Sequence, residues 1–215
     1  MTTAGRTRHA YDQVADRYTD ELAGELRHKP FDRGLLEVFA ELAADGPVAD
    51  IGCGPAHVGA YLAANGLRTI GMDLSPAMCA AARRTTSVPV CAADMTALPV
   101  RSESLAGLVC MYAVIHLDQH QRAAAYAEFA RVLRPGGHAF IAFHTSDADI
   151  PVGGVKTLTE WWGHEVDLTF HYLDPVAESE ALATAGLVPA ARLDREPHQG
   201  TEHPSRRSYL LAQRH

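Results

Sequence analysis

The stretch Val48-Ala49-Asp50-Ile51-Gly52-Cys53-Gly54-Pro55-Ala56-His57 decides the fold. Val48 to Ile51 reads as a short strand, and two glycines one residue apart read as a tight turn. The apolar run after His57 reads as a helix that stops at Asn65-Gly66. Strand, glycine turn and helix start together make a nucleotide-type site. Glycine lets the backbone approach a ligand closely, and the helix N-terminus offers unpaired N–H groups.

Working outward, the same unit repeats. Residues 68–73 form a strand, and Ser75 and Pro76 then cap and begin a helix that runs to Arg84. Residues 88–91 read as a strand followed by Ala93-Asp94-Met95, and residues 105–112 as a buried strand. A helix over 119–133 is stopped by Arg134-Pro135-Gly136-Gly137, and residues 138–144 are again a strand. Two helices, 8–27 and 33–44, precede this series. Strands alternating with helices imply an α/β fold: a Rossmann-like, doubly wound, mostly parallel sheet. After residue 145 the rhythm changes. Residues 145–160 read as a loop, 165–172 as a strand and 175–185 as a helix. Segments 187–195 and 206–213 read as two strands of a C-terminal antiparallel hairpin. The expectation is a seven-stranded sheet in a single domain spanning 1–215. It divides into an N-terminal helical lid (1–45), a core (46–144), an acceptor-covering insertion (145–172) and a C-terminal helix with hairpin (173–215).

Composition narrows the function. The chain has 215 residues, 47% hydrophobic and 21% charged, which is ordinary for a globular protein and excludes a disordered chain. No apolar run is long enough for a bilayer span, and nothing behind Met1 reads as a signal peptide. A formal net charge of −7 with no basic cluster argues against nucleic acid and membrane partners. The four cysteines have no paired spacing and read as reduced thiols of a cytoplasmic protein.

Three acids follow three successive strands: Asp50, then Asp73 at the end of the second, then Asp94 after the third. Such carboxylates meet at the crevice where open α/β sheets bind ligands, and one at the second strand end can accept from ribose hydroxyls. A dinucleotide fingerprint would need glycine at 57, where the chain has His57. VADIGCGPA (48–56), GMDLSPAMCAAAR (71–83), AADMTALPV (92–100) and RVLRPGGHAFIAFH (131–144) resemble class I S-adenosylmethionine-dependent methyltransferases of the small bacterial kind. Tyr11-Asp12-Gln13-Val14-Ala15-Asp16-Arg17-Tyr18 resembles their leading helix, so the likeness runs from about residue 10 to the end of the chain. Ala56 departs from the family, which has a third glycine there.

The resemblance implies roles. Asp50 stands near the methionine amino group of the cofactor S-adenosylmethionine. Gly52, Cys53 and Gly54 form the loop around its methionine part. Asp73 holds the ribose, with Leu74 beside the adenine. Asp94 accepts from the adenine amino group, with Met95 next to it. Tyr112, or its neighbour Met111, lines the site at the end of the fourth strand. By their spacing alone, Tyr11 and Tyr18 lie seven residues apart on one helix face, where they either pack that helix onto the domain or act as a lid with one ring closing over the cofactor.

Methyl transfer from a sulfonium is an in-line displacement with a neutral leaving group. Orientation alone supplies on the order of 7–11 kcal/mol. A base is needed only for an acceptor that still holds its proton. His116 and His144, which follow the fourth and fifth strands, are the candidates. Trp161, Trp162, His171, Arg206 and Arg207 are candidates for the acceptor site, an arginine meeting an acidic group. No metal site is expected, because His116 and His120 lack a third ligand. The expected acceptor is a small molecule methylated on O, N or C. Its identity and the oligomeric state are not legible. Two other readings stand beside this one: a cofactor-binding protein on the same fold without transfer activity, or methylation of a protein or RNA partner.

Overall fold

The computed structural model describes residues 2–215. Helix α1 (Thr3–Leu22) starts five residues earlier than its pattern predicts, because the Thr2 side chain caps it by accepting from Gly5 N–H. It also ends earlier, before Gly24 and a 3-10 turn over Glu25–His28. Helix α2 (Pro30–Leu42) follows, with proline at its first position, where no N–H is missed.

The α/β series is β1 (Pro47–Ile51), α3 (His57–Ala64), β2 (Arg68–Asp73), α4 (Pro76–Thr85), β3 (Val90–Ala92), β4 (Leu105–Met111), α5 (Gln119–Val132) and β5 (Leu133–Asp147). These strands pair in parallel, β3-β2-β1-β4-β5. After α6 (Pro175–Thr184), β8 (Leu187–Arg195) and β9 (Ser205–Arg214) complete a seven-stranded sheet. β9 lies between β5 and β8 and is antiparallel to both, as the sequence predicts for the C-terminal hairpin.

Strand β4 shows why the sheet is covered on both sides. Leu108 and Cys110 face one core with Ile51, Tyr126, Phe129 and Ile141. Val109, between them, faces the other with Leu36, Phe39, Val48 and Phe140. A strand buried on both faces reads as a continuous apolar run, as Leu105–Met111 does. Each such large side chain contributes about 1.5–3 kcal/mol by leaving water.

The loop expected over 145–160 is a correction. β5 continues to Asp147, and β6 (Val155–Trp161) forms a separate two-stranded hairpin with β7 (His164–His171). The signal was present in the alternating β-branched residues Val155, Thr157 and Thr159. The turn is closed by Trp162 at φ 53° and Gly163 at φ 84°, the two left-handed residues that a tight hairpin needs. This hairpin packs on α1 over the C-terminal strand ends.

Candidate methyl-donor cleft and its cover

Strand β1 delivers the chain to a turn that only glycine tolerates. Gly52 has φ 68°, and a Cβ there would sit 2.3 Å from the Ala113 Cβ. Gly54 has φ 52°, and its N–H donates to Asp73 Oδ2 at 2.8 Å. Ser75 N–H donates to Asp73 Oδ1, also at 2.8 Å. The Asp73 carboxylate thus joins the glycine turn to the start of α4, and each oxygen keeps lone-pair capacity for a ligand hydroxyl. Ala56 adopts φ 58° at the start of α3, a strained position for a residue with a Cβ and the one where the family has glycine.

A cleft opens at these strand ends. It is lined by Tyr11, Tyr18, Gly52, Gly54, Asp73, Leu74, Asp94, Met95, Met111, Tyr112 and His116, among others. Asp94 Oδ1 accepts from both the backbone and the hydroxyl of Thr96, at 2.8 and 2.7 Å. Its second oxygen has no protein partner. The donor set matches an adenosine joined to an amino acid: a ribose-type acceptor in Asp73, an outward carboxylate oxygen in Asp94, an apolar wall of Met72, Met95 and Leu98, and a turn without side chains.

Two expected cofactor residues lie outside the cleft lining. Asp50 is 2% exposed and accepts from Gly59 N–H at 2.8 Å, inside the first turns of α3. Burial raises its pKa to about 6, against the pull of His57 and of that hydrogen bond. It holds the helix under the loop. Cys53 is buried against Gly71, and burial pushes its thiol well up.

The cover is aromatic. Tyr11 and Tyr18 of α1 meet edge to face, with ring centroids 5.8 Å apart, and both pack against Trp161. Trp161 and Trp162 stack at 4.8 Å, and Trp162 also meets Tyr18. The two tryptophans, expected at the acceptor site, thus pack with the tyrosines of α1 and are absent from the cleft lining. Asp12, next to Tyr11, accepts from the Ser75 hydroxyl at 2.5 Å and from Ala77 N–H at 3.2 Å, docking α1 on the start of α4. Sequence reasoning missed Asp12, although an acid beside a helix N-terminus is favoured in general.

His116 joins three elements. Its Nδ1 lies 2.9 Å from the Thr169 carbonyl of β7, which can only accept, so the proton is on Nδ1. Nε2 therefore accepts from the Tyr11 hydroxyl at 2.7 Å. Burial lowers its pKa to about 4, despite the opposing bond to Thr169. His144 is absent from the cleft lining. It stacks on Tyr112 at 4.8 Å and meets the Ser205 hydroxyl at 2.7 Å. Burial, then Arg207, His203 and Lys29, lower its pKa to about 3. His171 is also outside the lining and half-buried, with Arg122 and Asp118 acting on its ring. Arg206 is a surface residue paired with Glu196 at 2.8 Å, whereas Arg207 is 2% exposed.

Behind Tyr112 lies a buried polar chain that the sequence did not reveal. The Tyr112 hydroxyl is 3.0 Å from that of Tyr209, and Tyr209 donates to Asp32 at 2.6 Å. Arg195 bonds Asp32 at 2.9 Å and both oxygens of Glu202, at 2.6 and 2.8 Å. Burial pushes Glu202 up, but the bonds from Arg195 and the His198 N–H hold it down at about 2.

The strand order β3-β2-β1-β4-β5-β9-β8 and a cleft at the carboxyl ends of the parallel strands define a Rossmann-like α/β fold of the methyltransferase type. Comparison with known proteins agrees. Residues 48–137 match the family model "Methyltransferase domain". Over 134 residues the chain is 36% identical to the mouse protein named tRNA (carboxymethyluridine(34)-5-O)-methyltransferase, covering 61% of this chain and 18% of that one. Over 141 residues it is 38% identical to the malonyl-[acyl-carrier protein] O-methyltransferase of Enterobacter lignolyticus, covering 65% and 53%. The chain thus spans about half of one relative and less than a fifth of the other. Among solved structures, it superposes with a TM-score of 0.66 on a complex between the Haloferax volcanii Trm112 methyltransferase activator and the putative methyltransferase. That match is 21% identical and covers 97% of this chain and 98% of the other. A glycopeptide N-methyltransferase complexed with S-adenosylmethionine matches at a TM-score of 0.62 and 18% identity, covering 84% and 94%. Residues 48–137 therefore carry a methyltransferase domain, and the chain as a whole is similar to S-adenosylmethionine-dependent methyltransferases.

These relatives correct one expectation. The exclusion of nucleic acid, which left a small molecule as the expected partner, rested on the net charge of −7 and the absence of a basic cluster in the sequence. Several relatives are tRNA methyltransferases by name, among them a probable tRNA methyltransferase 9B of human, 32% identical over 136 residues. Net charge is a sum over the whole surface, whereas nucleic acid contact depends on the local field. Among the described residues, no helix is long and apolar enough to cross a membrane.

Proposed function

We propose that this protein transfers the methyl group of S-adenosylmethionine to a carboxylate oxygen, making a methyl ester. The observation that carries the reading is the state of the two histidines nearest the reaction. Both nitrogens of His116 are engaged, and its pKa of about 4 makes it a poor proton acceptor at neutral pH. His144, at about 3, is poorer still. A general base works best with a pKa near the working pH. An acceptor that arrives deprotonated needs none, and a carboxylate is such a group at pH 7. The names of two relatives point the same way, since carboxymethyl and malonyl groups both end in a carboxylate and both enzymes are O-methyltransferases.

On this reading Asp73 binds the ribose, Asp94 the adenine amino group, and Gly52 and Gly54 let the main chain reach the methionine part. The bound donor supplies an activated methyl on a sulfonium. Tyr11, Tyr18, Trp161 and Trp162 form a lid from α1 and the β6–β7 hairpin that excludes water from the donor. His116 is a positioning residue that holds Tyr11 in the closed lid. Asp50 supports the loop from below and does not touch the cofactor.

The test is to incubate the protein with methyl-labelled S-adenosylmethionine and a panel of acceptors. Short dicarboxylic acids, a malonyl thioester and a carboxymethyluridine-bearing RNA stand against hydroxyl and amine compounds. The expected product releases labelled methanol in mild alkali, as esters do. A base-stable product, an ether or a methylamine, would overturn the reading. The panel also identifies what carries the carboxylate.

A further inference from the structure

Tyr112 ends β4 with φ 57°, a backbone state that costs a bulky residue energy and that clusters at functional sites. Its side chain lines the methyl-donor cleft. Two cations stand against its ring: Lys29 Nζ lies 5.5 Å from the centroid and Arg207 Cζ 5.9 Å. Both are taken out of water, Lys29 at 6% exposure and Arg207 at 2%.

Neither cation is fully satisfied. Lys29 Nζ has one hydrogen-bond partner, Glu25 Oε2 at 2.7 Å, so two of its three N–H groups have none. The Arg207 terminal nitrogens donate to the Ser205 and His203 carbonyls at 2.8 and 3.2 Å, but its Nε is buried with no partner. A buried donor without a partner is costly, and unmet donors of this kind mark a place for a ligand. Here three such N–H groups belong to the two cations that flank the Tyr112 ring; Tyr112 lines the cleft, and Lys29 and Arg207 stand behind that lining. The groups acting on the neighbouring His144 are cationic or potentially so: Arg207, His203, Lys29 and His116. On the same side, exposed His203 lies 6.0 Å from His144, ring to ring.

We propose that Lys29 and Arg207, on either hand of Tyr112, form the subsite that binds the acceptor's carboxylate and presents its oxygen to the methyl group. This deepens the carboxylate-transfer reading and rests on it. Glu25 already pairs with Lys29 at 2.7 Å and Glu202 with Arg207 at 3.4 Å, so what a bound carboxylate adds is hydrogen bonding: it offers about four lone-pair directions to three unmet donors. Arg207 has this role and Arg206, out on the surface, does not.

The test uses malonate, its neutral isostere malonamide and inorganic phosphate as probes. Each is titrated into the 215-residue chain saturated with S-adenosylhomocysteine, with binding followed by calorimetry and by NMR. Malonate is expected to bind at least tenfold more tightly than malonamide or phosphate. Lys29→Met is expected to weaken malonate at least tenfold while leaving S-adenosylhomocysteine affinity unchanged. Arg207→Lys serves as the milder second variant, since it keeps the charge but loses Nε, and a tenfold loss of malonate binding is expected again. Equal binding of malonate and malonamide, a preference for phosphate, or wild-type malonate affinity in a folded Lys29→Met would each overturn the subsite. Esters formed with an unchanged KM in Lys29→Met would sink the subsite and keep the carboxylate reading. Lys29-dependent malonate binding with no carboxylate ever esterified would keep the subsite and sink that reading.

Discussion

The floor of the donor cleft and its cover are built differently. The floor is main chain and short-range geometry: left-handed Gly52 and Gly54, and Asp73 accepting from the Gly54 and Ser75 N–H groups. The cover is side chains that meet only by tertiary packing. Tyr11 and His116 share a hydrogen bond although 105 residues separate them, and Trp161 reaches Tyr11 from a hairpin outside the main sheet. A floor set by the backbone cannot move without unfolding the turn. A cover held by ring contacts and one relay of hydrogen bonds can open at modest cost, as a site that must exchange cofactor requires.

Substitutions should separate the two regions. Asp73→Ala removes a charged acceptor and leaves two N–H groups unpaired, and should weaken S-adenosylhomocysteine binding by about 3 kcal/mol or more by calorimetry. Gly52→Ala puts a methyl group against Ala113 in a left-handed residue. It should cost about 1–3 kcal/mol of stability in urea unfolding. Tyr11→Phe strands the buried His116 Nε2 and should act on the cover alone. The expected effect is about 1–2 kcal/mol, read as a higher KM for the donor with a smaller change in kcat. If Tyr11→Phe costs as much donor binding as Asp73→Ala, the contrast between floor and cover fails. Arg206→Ala, on an exposed ion pair, should stay within about 0.5 kcal/mol in stability and leave activity unchanged.

The pH dependence sharpens the same contrast. His116 and His144 have folded-state values of about 4 and about 3, below the ordinary value of about 6.5. As pH falls from about 6.5 towards 4, the unfolded chain takes up protons that the folded chain refuses, so stability is lost on acidification. Asp50, raised to about 6, acts in the opposite sense: the folded state holds a proton between about 4 and 6 that the unfolded state has released. With two histidines against one carboxylate, the net result is a weaker fold at about pH 5 than at about pH 7. Asp50→Asn should make that decline steeper, measured as urea midpoints at the two pH values. A flat or reversed profile in the parent protein would show that His116 and His144 take up protons in place, and that the packing around them opens in solution.

What was legible in the chain follows the same division. The glycine turn, the Ser75-Pro76 helix start and the alternating apolar runs are local signals, and they specified the α/β sheet, its C-terminal hairpin and the positions of Asp73 and Asp94. The error at 145–160 was a reading of composition over alternation, where glycine and proline at 151–154 masked the strand that begins at Val155. At Asp50 the sequence could not show which way the side chain turns, because a strand-end carboxylate can face either the crevice or the helix behind it. Its bond to Gly59 chose the helix.

The sequence by itself determined the fold and the donor crevice, because periodicity, capping and left-handed glycines act between residues a few positions apart. Only the tertiary structure decided which of twelve histidines meets the cleft, which arginine of the pair 206–207 is buried, and that Lys29 joins it at Tyr112. Those outcomes depend on side chains brought together across the sheet from α1, α2, β7 and β9. Burial and the need to satisfy each buried donor, not any local pattern, chose their partners.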